Sequence, residues 1–519
     1  NDQNRYADKV IISNAIFTGV DDVLIDGGIA VKGDKIIFVG EREALQRYVS
    51  QDTKIYEYTD KLVIPGLIDS HVHLIMGSLY NRCVNLGSVR SEEEAAQKVK
   101  EFADANPDDP WVLGFNWYNI FWEDKSVPTK ESLDKLIPDR PVFLLNAEAH
   151  GGWVNSKGLE IAGIDKNTKD PEYGIIVRDE SGEPTGVLYE WAIGLVVKHA
   201  YSLPEEKEME LLKSFSEKAV QFGVTSIADM QPFFGSNLGK KEVYEKYIKS
   251  DPNAIRFHIA FGLTEENIAH SHELKSRWEN LDKLKFLGFK DFIDGVPNTY
   301  TALLVEPYAD REGYCGNSLT DLDTLKKLIE KAHEKGCSVR LHACGDGAVR
   351  FALESYIDAI KKYGRKDVRH GVEHIEMITV EDIPKFKEYG IIASMQPEHV
   401  ALTESYKDNP YPVRAGKERE KYLWAFRTIM KTGANVCFGS DYPVVDIDPF
   451  LGIYRGVTRL HNDGTPQGGW NPQEKLTVQE VLRAYTYGSA YALGREEELG
   501  TLEEGKYADI AVLDKNLLT

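Results

Sequence analysis

Eight short apolar runs, separated by stretches of helical periodicity, constrain this chain more than any other feature. They occupy residues 62–69, 225–229, 255–261, 286–293, 338–342, 370–375, 391–395 and 435–439. Strands that alternate with helices assemble into parallel sheets, and eight such units are the number that closes into a (β/α)8 barrel. The intervening helices are well marked, one over 321–335 with Asp321 at its N-cap and another over 346–362. The expected fold class is α/β, a TIM-like barrel.

Both ends of the chain read differently. Strand-like segments at 10–12, 14–17, 28–31 and 35–40, and again at 505–513, predict a small β-sandwich domain built from residues 1–61 plus 499–519. The barrel is then expected over 62–498. About 150 residues separate its first two strands, far more than one connection needs. Residues 74–205 therefore read as an insertion, expected to cap the barrel mouth. It carries Trp111, Trp117, Trp122, Trp153 and Trp191. Tryptophans of this kind are more often core than binding surface, so only part of the insertion is expected to touch substrate.

Composition narrows the setting. With 42% hydrophobic and 28% charged residues the chain reads as globular, and no apolar run is long enough for a membrane helix. A net charge of −21 argues against nucleic acid and anionic membranes as partners. Five scattered cysteines fit reduced thiols better than a disulfide framework, and the expected location is cytoplasmic.

The chemistry-bearing residues fall at strand ends. His71 and His73 are two residues apart, so on a strand they share a face and lie about 6 to 7 Å apart along the backbone. With 13 histidines in 519 residues, one such pair alone is moderate evidence. Lys290, His342, His374 and Asp441 follow on the fourth, fifth, sixth and eighth strands, at the end where barrel active sites sit. Neutral imidazole and carboxylate suit zinc and related divalent ions. Lys290 is the odd member, because an ammonium cannot ligate a cation and is costly to bury unpaired. It is expected either to pair with Asp291 or Asp294, or to react with carbon dioxide and become an anionic carbamate.

Six segments together carry a resemblance. They are 63–73 (VIPGLIDSHVH), 146–156 (NAEAHGGWVNS), 288–295 (GFKDFIDG), 341–346 (LHACGD), 370–375 (HGVEHI) and 439–443 (GSDYP). In this order they resemble the amidohydrolase superfamily, and within it amidohydrolase family 3, the YtcJ-like and N-substituted formamide deformylase-like branch. The resemblance implies one or two divalent ions: one on His71, His73 and Asp441 and, in the two-ion form, a second on His342 and His374 with a carboxylated Lys290 bridging both. It further implies that Asp441 moves the proton of an attacking water, and that His150 stabilises an oxyanion or holds substrate. Trp153, Asn155 and Trp117 are expected to line the substrate, with Glu190 more structural than catalytic. The function implied is metal-dependent hydrolysis of a C–N bond in a small amide, N-acyl or N-formyl compound, in an enzyme type that is often a homodimer. Two alternatives stand beside it: a cyclic amidine deaminase, and a non-catalytic scaffold that keeps the ligands.

Overall fold

The computed structural model describes residues 5–147, 149–172, 174–230 and 235–519. It divides into two compact units, one of Asn1–His73, Ser216–Gln231 and Asn253–Thr519, the other of Leu74–Phe215 and Pro232–Pro252. Among the described residues no helix is long and apolar enough to cross a membrane. All five cysteines are free thiols.

The chain opens with β1 (Lys9–Phe17), β2 (Leu24–Lys32), β3 (Lys35–Glu41) and β4 (Lys54–Pro65), then enters the barrel at β5 (Leu67–Val72). The run at 62–69 is thus two strands. Its first half ends β4, which pairs with β1, and only the part after Gly66 belongs to the barrel. A side chain at Gly66 would meet Thr225 Oγ1 at 2.1 Å, so the chain can pass from sheet to barrel there only without a Cβ.

In the second unit lie β6 (Val84–Asn85), β7 (Val112–Trp117), β8 (Val142–Asn146), β9 (Gly151–Val154), β10 (Gly174–Arg178) and β11 (Pro184–Glu190). They form one sheet in the order β10-β11-β9-β8-β7-β6. The barrel resumes with β12 (Val224–Asp229), β13 (Arg256–Gly262), β14 (Leu284–Phe292), β15 (Val339–Ala343), β16 (Gly371–His374), β17 (Ile392–Met395) and β18 (Val436–Phe438). The last strand, β19 (Ile510–Val512), returns to β4.

The termini form one five-stranded sheet, β19-β4-β1-β2-β3, where a two-sheet sandwich was expected. Its alternating residues explain how one sheet suffices. Ile16, Ile29, Val31, Ile36 and Val63 pack one face with Leu502 of the C-terminal segment. Val10, Ile12 and Ala30 pack the other face with Leu45 of the short helix Arg42–Leu45. Both faces are covered without a second sheet.

The eight barrel strands run β5-β12-β13-β14-β15-β16-β17-β18, every neighbouring pair parallel. First and last meet through the residues just after β18. Asp441 N donates to His71 O and His73 N to Tyr442 O, both at 2.8 Å, and Val72 bridges Tyr442. The Asp69 carboxylate fixes this junction, accepting from Ser440 N at 3.0 Å, Ser440 Oγ at 2.5 Å and His71 N at 3.1 Å. A Cβ on Gly439 would stand 2.7 Å from both Asp69 Oδ1 and His71 N, so the approach requires glycine.

Replacing Asp69 with alanine strands three buried donors at about 1–3 kcal/mol each. A destabilisation of several kcal/mol is expected, read as a lower denaturant midpoint for Asp69→Ala than for wild type.

Candidate metal centre

The barrel brings all six expected residues to one place. His71 and His73 leave the end of β5 with their Nε2 atoms 3.1 and 3.2 Å from the same oxygen, Asp441 Oδ1. Ring centroids lie 4.9 Å apart for His71 and His374, and 4.4 Å for His342 and His374. One ligand atom each from His71, His374 and Asp441 fits within 4.8 Å, the spread one ion can span. Lys290, 2% exposed, faces the same group: its charge opposes protonation of His71, His73 and His342.

Local backbone departures aim these side chains. Strand β14 carries one extra residue against β13, at the step from Ile259–Phe286 to Ala260–Gly288. Such a bulge shifts the alternation of faces ahead of Lys290. Gly288 makes it feasible, with φ +144° and Ser338 O only 2.1 Å from where a Cβ would stand. His374 and Asp441 adopt left-handed backbone, φ 82° and 61°. Strain of this kind costs about 1–3 kcal/mol per residue and gathers at functional sites.

The electrostatics favour ligand-ready protonation states. Burial, aided by Lys290, lowers His342 to about 3. Burial also lowers His73 and takes His374 well below its ordinary value. Burial alone would raise the Asp441 carboxyl, but the His71 charge and the close approach of His71 and His73 outweigh it and hold the group well below the usual range. His73, His342 and His374 are thus held as neutral imidazoles near a carboxylate, the state in which such groups bind a divalent ion. At His71, by contrast, burial and the Lys290 charge are outweighed by the charges of Asp441 and Glu373, which raise it.

Two buried atoms show that hydrogen bonding does not complete the cluster. His71 Nε2 is 3.1 Å from Asp441 Oδ1 yet outside hydrogen-bond geometry, and Lys290 Nζ has no hydrogen-bond partner among the described residues. Neither Asp291 nor Asp294 takes Lys290, because Asp291 accepts from Phe292 N and Asp294 from backbone amides. A cation between the imidazoles and Asp441 would satisfy the first atom, and carboxylation would remove the charge of the second. The donor set therefore fits a divalent metal.

Residues 58–519 match the family described as the amidohydrolase family. The chain belongs to the amidohydrolase family. YtcJ of Bacillus subtilis (strain 168) is 33% identical over 500 residues, covering 95% of this chain and 90% of that protein. N-substituted formamide deformylase of Arthrobacter pascens is 25% identical over 512 residues, covering 94% and 90%. A crystal structure of a metal-dependent hydrolase from Pyrococcus furiosus superposes with a TM-score of 0.77 at 25% identity, covering 98% of this chain and all of that one.

Around the six clustered residues of this amidohydrolase stand others that the sequence did not single out as part of the site. Glu373 Oε2 accepts from His71 Nδ1 at 2.9 Å, and Gln396 Oε1 from His374 Nδ1 at 2.6 Å. His342 Nε2 donates to Gly295 O at 2.9 Å, so Nδ1 is the nitrogen of this ring that could hold an ion. Asp294 accepts from Cys344 N, Gly345 N and Leu303 N, so it anchors loops although it lies near His342 and Cys344. His399 brings Nε2 to 3.7 Å from Asp441 Oδ2. Strand alternation hides Glu373, since it and His374 should face opposite ways, and only the left-handed turn at His374 lets both serve the site.

The insertion corrects three expectations. Trp117 and Trp153, 1% and 0% exposed, donate their indole N–H groups to Leu144 O and Thr129 O and pack with Trp122 in that unit's own core. Asn155, also 0% exposed, accepts from Val142 N and Gly158 N and donates to Ile137 O and Arg140 O. Folding uses every polar group of the three, which leaves none for substrate. His150 is exposed, its Nδ1 2.8 Å from Glu190 Oε2.

Two outcomes follow from these placements. Asn155→Ala removes a helix cap and strands buried backbone groups, so a loss of about 3 kcal/mol in the insertion is expected from denaturant melts. For Glu373, burial would raise the carboxyl, but the charges of His71 and Arg340 outweigh it and hold it at about 2. A depressed carboxyl stabilises the fold above its unfolded value near 4.5 and loses that contribution as pH falls toward 2. Thermal melts of metal-free protein between pH 5 and 2 should show a steeper loss for wild type than for Glu373→Gln.

Proposed function

We propose that this amidohydrolase is a metal-dependent enzyme that hydrolyses a C–N bond, in an amide, N-acyl or N-formyl group of a small amine. The observation that carries the reading is the buried ring of imidazoles around Asp441, with His71 Nε2 and Lys290 Nζ left unbonded. Similarity to a formamide deformylase along nearly the whole chain supports the bond type.

His71, His73 and Asp441 would hold one ion, His342 and His374 a second, zinc being the metal these ligands suit. Bound there, a divalent ion acidifies water toward neutral pH and polarises a carbonyl. Asp441 has divided oxygens for the proton work: Oδ1 lies against both histidines, while Oδ2 is turned toward His399. Oδ2 takes the proton of the attacking water and returns it to the departing amine. Burial lowers the Lys290 ammonium, so the neutral amine is accessible. Its nitrogen forms a bond to carbon dioxide and releases one proton, giving a carbamate in place of a group with no hydrogen-bond partner among the described residues. His150, held by Glu190, is the insertion's candidate for oxyanion stabilisation, and a lower kcat in His150→Ala is its test.

Activity on a panel of N-formyl and N-acyl amines, abolished by a chelator and restored by zinc, is the expected result. Asp441→Asn should lower kcat by about 10²–10⁴-fold, the range for a lost general acid–base. Near-normal turnover in that variant overturns the role of Asp441, and ammonia release in place of acid and amine products would mark a deaminase.

A further inference from the structure

The two imidazoles that face each other across the cluster are anchored by different chemistry. His71 Nδ1 donates to Glu373 Oε2 at 2.9 Å, and Glu373 Oε1 accepts from Arg340 at 2.7 Å. The second amino group of Arg340 donates to Ala492 O at 3.0 Å. His71 and Glu373 are 0% exposed and Arg340 1%, so the chain Arg340–Glu373–His71 is sealed from water. It spans the barrel from β15 and β16 to β5, one side chain from each strand.

On the other side the acceptors are neutral. His374 Nδ1 donates to the Gln396 amide oxygen at 2.6 Å, and His342 Nε2 to the Gly295 carbonyl at 2.9 Å. An N–H donated to a carboxylate fixes the tautomer and raises the basicity of the opposite ring nitrogen, and charge-assisted bonds do so more strongly than neutral ones. His71 Nε2 is thus the most electron-rich of the anchored nitrogens, and it stands beside the one carboxylate ligand, Asp441.

We propose that Glu373, clamped by Arg340, is the positioning residue that makes the His71–His73–Asp441 side retain its ion more tightly than the His342–His374 side. The inference rests on the two-ion reading above. Arg340 keeps the Glu373 carboxylate charged in a dry interior, and Glu373 keeps Nε2 of His71 bare and directed at the ion. Gln396 gives His374 the same orientation without the added charge.

The test uses the full chain loaded with zinc and titrated with a competing chelator, with retained zinc per chain measured by elemental mass spectrometry. Wild type should lose zinc in two stages. Glu373→Gln should weaken the later-leaving ion about 10–100-fold and shift the earlier one less than about 3-fold, the selectivity a general structural defect would not produce. Gln396→Glu should tighten the earlier-leaving ion. With cobalt as the probe, the visible spectrum of the first equivalent bound should change in Glu373→Gln. Should that variant fold poorly because Arg340 loses its counter-charge, Arg340→Met/Glu373→Gln removes both charges and should show the same selective weakening. A later stage that stays within about 3-fold of wild type, or two stages that shift together, overturns the role of Glu373. Zinc loss in a single stage from every form, or no zinc bound at all, overturns the two-ion reading and this inference with it.

Discussion

The junction between the first and last barrel strands is the constraint on which the rest depends. Eight parallel strands enclose a site only if β18 returns to β5, and here the return is made by Gly439, Ser440 and Asp441 against the Asp69 carboxylate. The backbone bond from Asp441 N to His71 O that closes the barrel also places the Asp441 carboxylate beside the His71 and His73 rings. Closure and ligand geometry therefore share the same atoms. Burial pushes the Asp69 carboxyl up to about 6 even with donors around it, and left-handed backbone at Asp441 adds strain. Such costs persist where the surrounding structure over-determines the conformation.

Charge in the barrel interior is arranged in one direction. Arg340 neutralises Glu373, Glu373 supports His71, and His71 lies beside Asp441, each link between buried groups. A buried charge without hydrogen bonds is expensive, and the series leaves out Lys290, whose Nζ has no hydrogen-bond partner among the described residues and lies over the Phe292 ring at 4.7 Å. Its unbonded Nζ and its place among the imidazoles make the same demand as the misaligned His71 Nε2, for a group that side chains alone do not provide.

Much of this was legible in the sequence. Seven of the eight barrel strands and the two expected helices, Leu322–Glu334 and Asp346–Tyr363, lie where periodicity places them, and the first strand overlaps its expected run only in part. The six ligand-type residues converge as their strand-end positions imply. Errors arose where alternation or composition reports nothing. An apolar run does not show that Gly66 divides it between two sheets, and the strand pattern of the termini does not distinguish a sandwich from one sheet covered by a helix and a returning segment. Trp117, Trp153 and Asn155 carry groups that could bind a ligand, yet backbone carbonyls and amides of their own unit take them. Glu373 and Gln396 were in view as letters, but their role depends on a backbone turn at His374 and on a partner hundreds of residues away.

The sequence by itself pointed to the barrel and to the identity of the six converging residues, because hydrophobic period and residue type are local properties. Tertiary structure decided which nitrogens of His71, His342 and His374 are held by hydrogen bonds, which oxygen of Asp441 lies against His71 and His73, and which groups stand behind those rings. Those outcomes depend on a bulge before Lys290, left-handed backbone at His374 and Asp441, and contacts between strands far apart in sequence. Each arises from long-range packing, which a local pattern of residues does not encode.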